Sequence, residues 1–379
     1  MRKITFIVQN ETHAWNFEAV IRELLALGIP ESKLQTLHLD PIFGMSTKDL
    51  ISVPNQRIIN IEIPAPYYHL DRLKRLYWIL GASSQIKKEV QETAVLVVGC
   101  DGGIQRLMAN TVRARGGKVI MLLDGLLHPW PSDKRLRYLA KRAINRIAAA
   151  FNFNHVVPAD VGHSNLDLIY VMNSTVKEIL INQGVKTPIE VAVLPRFDDY
   201  IEKFKRLRAE HTLPTKHLLY ATGAYKWHGL FKEAKHQEQD LADLIQFAMK
   251  HPDWAVRIRV HPRERIDDYT HLRWPANVEI SHNDRTVLED LAWASVLVTV
   301  KSTTAVEAEM VGVPVLIYTR NFGPPEVGSY FEQNSYFIKS DSLEQTLMLE
   351  QTVHPCKDVE SSARKIAETI AGVFYDCSI

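Results

Sequence analysis

The apolar positions of this chain fall into short, β-branched runs. Ile4–Val8, Ile58–Ile63, Val95–Val98, Val119–Leu123 and Leu168–Val171 have the length and composition of strands buried on both faces. Between them the period changes to that of helices. Residues 17–27 repeat apolar positions at helical spacing and stop at Gly28, and Ile104–Ala114 is stopped by Gly116-Gly117. Alternating strand and helix predicts parallel β-α-β units and a doubly wound sheet. The rhythm breaks near 198–216, where a charged helix at 198–206 is followed by the linker-like Leu213-Pro214-Thr215-Lys216. A second series then runs through Leu218–Ala221, a helix at Asp240–Lys250, Ala255–Val260, Val278–Ile280, Val296–Val300 and Val313–Tyr318. The expected organisation is two Rossmann-like domains, 1–205 and 206–379, facing an interdomain cleft. The last helix, Val359 to Phe374, is free to return to the first domain.

Composition narrows the class. At 379 residues, 46% apolar and 23% charged, the chain can build two cores. A net charge of +1 makes no demand for a nucleic acid partner. Cys100, Cys356 and Cys377 make neither a disulfide framework nor a paired zinc spacing. The N-terminal apolar run is too short for a signal peptide, and no segment approaches the roughly 20 apolar residues of a membrane span. A cytoplasmic protein is expected. One segment offers contact with the inner face of the membrane: Lys134, Arg135, Arg137, Lys141, Arg142 and Arg146 alternate with apolar residues at helical spacing, just after Trp130. Such a helix can rest on anionic lipid. The plainer alternative is a solvated cationic face over a core.

In doubly wound sheets, ligands bind beyond the carboxyl ends of strands. Three strand ends carry candidate chemistry. Val256–Val260 runs into His261-Pro262, where proline ends the ladder, and Arg263 and Arg265 follow. An imidazole there can hydrogen-bond a phosphate or protonate it as it leaves. It is equally compatible with a surface histidine before a turn proline. Val296–Val300 leads into Lys301-Ser302-Thr303-Thr304 and a helix, whose partial positive end and hydroxyls suit a phosphate. Glu307, one turn in, can accept a ribose hydroxyl, although Thr304-x-x-Glu307 is also a capping box. Val119–Leu123 ends in Asp124-Gly125, a candidate general base or an ordinary turn; Asp101, in Gly99-Cys100-Asp101-Gly102-Gly103, is the rival base. That glycine-rich turn does not match the dinucleotide fingerprint.

In order along the chain, Asp124-Gly125, His261-Pro262 and Ser302-Thr303-Thr304 resemble the (Asp/Glu)-Gly, His-Pro and Ser/Thr motifs of bacterial sialyltransferases, polysialyltransferases and capsule Kdo transferases. The resemblance implies a GT-B fold and inverting transfer from a CMP-activated sugar to a glycan hydroxyl in surface polysaccharide synthesis, without metal or cofactor. It implies Asp124 as base and phosphate contacts from His261, Ser302 and Thr303. Leu123 stands where the sialyltransferases usually carry a second acid. Leu194-Pro195-Arg196-Phe197-Asp198 also resembles the Pro-Arg-x-Asp segment of CDP-glycerol transferases, which share the His-Pro and Ser/Thr features. A CDP-glycerol or CDP-ribitol phosphotransferase is therefore one alternative. Sugar-nucleotide 2-epimerases, with a similar Ser-x-x-x-x-Glu helix, are another. No Asp-x-Asp occurs, which argues against a metal-dependent GT-A enzyme.

Overall fold

The computed structural model describes residues 2–53, 55–123, 125, 127, 135–157, 161–210, 216–227, 229–326, 329–344 and 361–377. Asp124, the expected base, lies outside them, as do Trp130 and Lys134. The chain divides into two compact units, Met1–Asp198 with Val359–Ile379, and Asp199–Asp358.

The first unit runs β1 (Lys3–Val8), α1 (Glu11–Ala26), β2 (Leu34–His38), α2 (Asp40–Phe43), β3 (Gln56–Ile58), α3 (Arg72–Glu89), β4 (Thr93–Val98), α4 (Gly103–Arg113), β5 (Lys118–Leu123), α5 (Arg135–Ala150), β6 (Leu168–Val171), α6 (Ser174–Asn182) and β7 (Ile189–Val191). Among the described residues its sheet has the order β3-β2-β1-β4-β5-β6-β7, all parallel. The direction of crossover reverses between β1 and β4, so right-handed connections lay α3, α4 and α5 on the face opposite α1. Gly28 ends α1 in the left-handed region at φ 86°, with Ile29 N–H donating to Leu24 O at 3.0 Å.

Two expectations are corrected here. The run Ile58–Ile63 is strand only as far as Ile58. Its partner β2 ends at His38, and α3 takes up the later carbonyls instead: Trp78 Nε1 donates to Glu62 O at 2.9 Å and Gln85 Nε2 to Asn60 O at 3.1 Å. The basic helix, α5, does not lay its apolar stripe on the core. Among its described residues Asn145 is the buried one, tied through Nδ2 to His163 O, whereas Leu139, Ile144 and Ile147 are exposed and Lys141 is half-buried.

The second unit runs α7 (Tyr200–Ala209), β8 (His217–Ala221), α8 (Phe231–Lys250), β9 (Ala255–Arg259), β10 (Val278–Ser281), α9 (Val287–Trp293), β11 (Val296–Thr299), α10 (Thr304–Val311), β12 (Val315–Tyr318), α11 (Tyr330–Gln333) and β13 (Phe337–Ser340). Its parallel sheet repeats the order, β10-β9-β8-β11-β12-β13. Alternation along β9 sends Val256 and Ile258 into the α8 core. Arg257 and Arg259 point the other way, onto the wholly buried Asp290 of α9, with N–O distances of 3.1 and 2.6 Å. Ser281 Oγ donates to the same carboxylate at 2.8 Å, so the buried charges are paired and hydrogen-bonded.

The final helix, α12 (Ser362–Asp376), completes the first unit. Ile366, Ala367, Ile370, Ala371 and Phe374 join the core formed by α1 and one face of the sheet. Asp198 receives its start: Ser362 and Ala363 N–H donate to that carboxylate at 3.0 and 2.9 Å, and Ser361 Oγ at 3.1 Å.

Candidate functional site

In the second unit the strand order reverses between β8 and β11, where an open α/β sheet forms its ligand crevice. Three chain ends meet around it. β8 gives way to Thr222-Gly223, β9 to Val260-His261-Pro262, and β11 to Val300-Lys301-Ser302. β9 and β11 flank β8, so their ends lie roughly 10 Å apart, two strand spacings. Side chains bolt these ends together. Thr222 Oγ1 accepts the His261 N–H at 2.8 Å, and Thr299 Oγ1 donates to Ala221 O at 3.0 Å.

Below the His261 turn lies a buried polar network. Thr222 Oγ1 donates to Glu264 Oε2 at 2.6 Å, Gln237 Nε2 donates to Glu264 Oε1 at 3.1 Å and to Tyr269 Oη at 3.0 Å, and Gly223 N–H donates to Gln237 Oε1 at 2.6 Å. Burial raises the Glu264 carboxyl above its ordinary range, against the pull of these hydrogen bonds. His261 is half-buried, and its Nδ1 accepts the Arg263 N–H at 3.1 Å. The neutral ring therefore carries its proton on Nε2, as a donor. Pro262 and Arg263 are exposed, and the Arg263 guanidinium lies 4.5 Å from the Trp227 ring centroid. The partners Thr222, Gln237 and Glu264 are not visible as a motif in sequence.

At β11 the helix start is tight. Ser302 Oγ accepts the Thr304 N–H at 3.2 Å and donates to Thr304 Oγ1 at 3.0 Å. Ala305 and Val306 N–H bond back to Ser302 O and Thr303 O. Ser302 is half-buried, Thr303 exposed and Thr304 buried. The capping box expected of Thr304 and Glu307 does not form: Thr304 is already the first helical residue, and Glu307 Oε2 accepts from Tyr200 Oη of α7 at 2.6 Å.

Beside this crevice stands a second polar cluster that sequence reasoning passed over. Asp240 of α8 is fully buried and accepts from Tyr220 Oη at 3.0 Å and Asn321 Nδ2 at 2.7 Å. Burial, reinforced by Asp243, lifts its carboxyl to about 7. The Tyr225 and Phe322 rings pack 5.4 Å apart.

The first unit has its own reversal, between β1 and β4. Gln9 Oε1 accepts from Cys100 Sγ at 3.2 Å and from Gln105 Nε2. His13 packs over Gly99, where a Cβ would sit 2.2 Å from its Nε2, so any larger residue there would displace the imidazole. Asp101 is buried and its Oδ2 accepts from Gly162 N–H at 3.1 Å and from Ser164 Oγ. Burial raises its carboxyl, with Arg106 opposing. Gln9 directly follows the β1 run and His13 lies in the first turn of α1, but neither stands in a recognisable motif.

By sequence, no family model matches the chain and no curated protein does either. Solved structures do match. UDP-GlcNAc 2-epimerase from Neisseria meningitidis bound to UDP-GlcNAc aligns over 99% of this chain and 100% of its own, at 12% identity and TM-score 0.60. The UDP-GlcNAc 2-epimerase of Methanocaldococcus jannaschii in complex with UDP-GlcNAc and UDP aligns over 98% and 99%, at 15% identity and TM-score 0.59. A glycosyltransferase from Rickettsia africae aligns over 99% and 93%, at 13% identity and TM-score 0.51. Identities this low establish the fold: two parallel α/β units of the GT-B type.

Proposed function

We propose that this chain is a glycosyltransferase that takes a sugar from a nucleotide-activated donor. The carrying observation is the β8/β11 crevice, with His261 and the Ser302–Thr304 helix start on its two sides, bolted through Thr222 and Thr299. The motif resemblance adds the finer statement: the donor is a CMP-sugar of the sialic acid or Kdo kind, and the acceptor a glycan hydroxyl. In the step, the acceptor oxygen bonds to the anomeric carbon as the bond from that carbon to the phosphate oxygen breaks. The acceptor proton passes to Asp124, with Asp101 as the alternative base. His261 Nε2–H, Arg263 and the hydroxyls of Ser302 and Thr303 take the charge that gathers on the departing phosphate. Pro262 and Thr304 hold the two turns, and Glu307 faces the ribose.

A second proposal, an epimerase acting on a sugar nucleotide, is favoured by the epimerase structures that share the fold. Incubation with CMP-sugars, CDP-glycerol and UDP-GlcNAc, with and without a glycan acceptor, separates the two. Acceptor-dependent release of CMP is the expected outcome. Inversion at C2 of UDP-GlcNAc without acceptor would establish the epimerase instead, and turnover of CDP-glycerol alone the phosphotransferase. His261→Ala should keep the wild-type melting temperature and lose roughly a hundredfold or more in turnover. Asp124→Asn should still bind CMP, a ligand that at a hundred times its Kd adds about 2.7 kcal/mol in thermal shift, while transfer collapses. Full transfer by Asp124→Asn would move the base to Asp101.

A further inference from the structure

Among its described residues, helix α5 presents Leu139, Ile144 and Ile147 to solvent. Ile144 and Ile147 are exposed, the latter at 63%, and Phe151 just beyond the helix is 74% exposed. Their spacing of three and four residues puts them on one stripe. On α3, Leu73, Tyr77 and Leu80 repeat the same spacing and are exposed too. The two stripes belong to one layer. A Cβ on Gly103 at the start of α4 would lie 3.3 Å from Ile79 of α3 and 2.9 Å from His155 O in the turn after α5. Two exposed apolar stripes on helices of one layer exceed what scattered surface residues require.

Charge identifies the occupant. Residues 134–150 carry six Lys or Arg and no Asp or Glu, in a chain whose net charge is only +1. Arg146, between the two exposed isoleucines in sequence, is itself exposed. A second copy of so cationic a surface would be repelled, whereas an anionic headgroup layer over acyl chains complements both the charge and the apolar stripe. We propose that α3 and α5 form a docking surface for an anionic phospholipid bilayer, with the stripes at acyl depth and the basic residues among the headgroups. It does not depend on which donor the second unit takes.

Flotation of the full chain with phosphatidylcholine–phosphatidylglycerol vesicles, against pure phosphatidylcholine, tests this. Binding is expected only with phosphatidylglycerol, and should weaken as salt is raised. The triple variant Ile144→Ser, Ile147→Ser, Phe151→Ser should lose at least tenfold in bound fraction with an unchanged melting temperature, and Arg146→Glu should lose part of it. A wild-type chain that stays at the bottom of the gradient overturns the proposal. So does a triple variant that floats as well as wild type, or one that merely dissociates a dimer.

Discussion

At the scale of single residues, the second unit stores a titratable group where its sheet ends. Asp240 is sealed under Tyr220 and Asn321, and burial moves its carboxyl from 3.8 to about 7. The folded state therefore holds a proton that the unfolded chain releases near pH 4. Between about pH 4 and pH 7 the native state binds more protons, so stability falls as pH rises through that window, by at most about 1.4 kcal/mol per pH unit. Above the folded value the loss is complete. Asp240→Asn, which cannot ionise, should flatten the decline in melting temperature between pH 5 and pH 8. A wild-type profile flat over that range, or a variant profile as steep as wild type, would refute it. Sequence alone could not single out this aspartate among those of a helical run. His261 and Ser302 were legible because each stands within three residues of the end of a β-branched strand. Thr222, Gln237 and Glu264 were not, since they are 15 to 42 positions apart and become neighbours only once β8 and β9 pair.

Elements were legible in proportion to how plainly their burial showed in composition. β4, β5 and β11 are unbroken apolar runs and were found within a few residues of their ends. β2, Leu-Gln-Thr-Leu-His, was hidden by polar residues that are nonetheless buried, among them His38, whose Nδ1 meets Thr47 Oγ1 at 2.8 Å. The facing of α5 could not be read either, because amphipathic spacing names two faces without saying which turns inward. Position matters equally for Asp198. As the last residue before the second unit it reads as the start of a charged helix, yet it caps α12 through three hydrogen bonds. Removing a helix-capping carboxylate costs about 1–2 kcal/mol. Asp198→Ala should lower the urea midpoint of the first unit accordingly, followed by near-ultraviolet dichroism. An unchanged midpoint would mean that Ser361, whose Oγ accepts the Arg364 N–H, is a sufficient cap alone.

For the molecule as a whole, the return of α12 makes the first unit discontinuous in sequence and leaves the second continuous. The two units thus differ in what truncation does to them. Ile366, Ile370 and Phe374 lie in the core of the first unit at 0, 0 and 4% exposure. Burying each side chain contributes roughly 2 kcal/mol, about 6 kcal/mol together, which is comparable with the roughly 5–15 kcal/mol by which a domain is stable. The hydrophobic face of α1 would also be opened where α12 now covers it. The core of the second unit draws nothing from beyond Leu343 among the described residues. A chain ended after Asp358 should therefore lose native packing in 1–198 while 199–358 stays folded. Limited proteolysis followed by mass spectrometry reads this directly: cleavage sites should multiply before Asp198 and stay at wild-type frequency after it. Equal protection of both regions in the truncated chain would show that α12 is dispensable, and equal loss in both would show that the second unit cannot hold its fold without an intact first one.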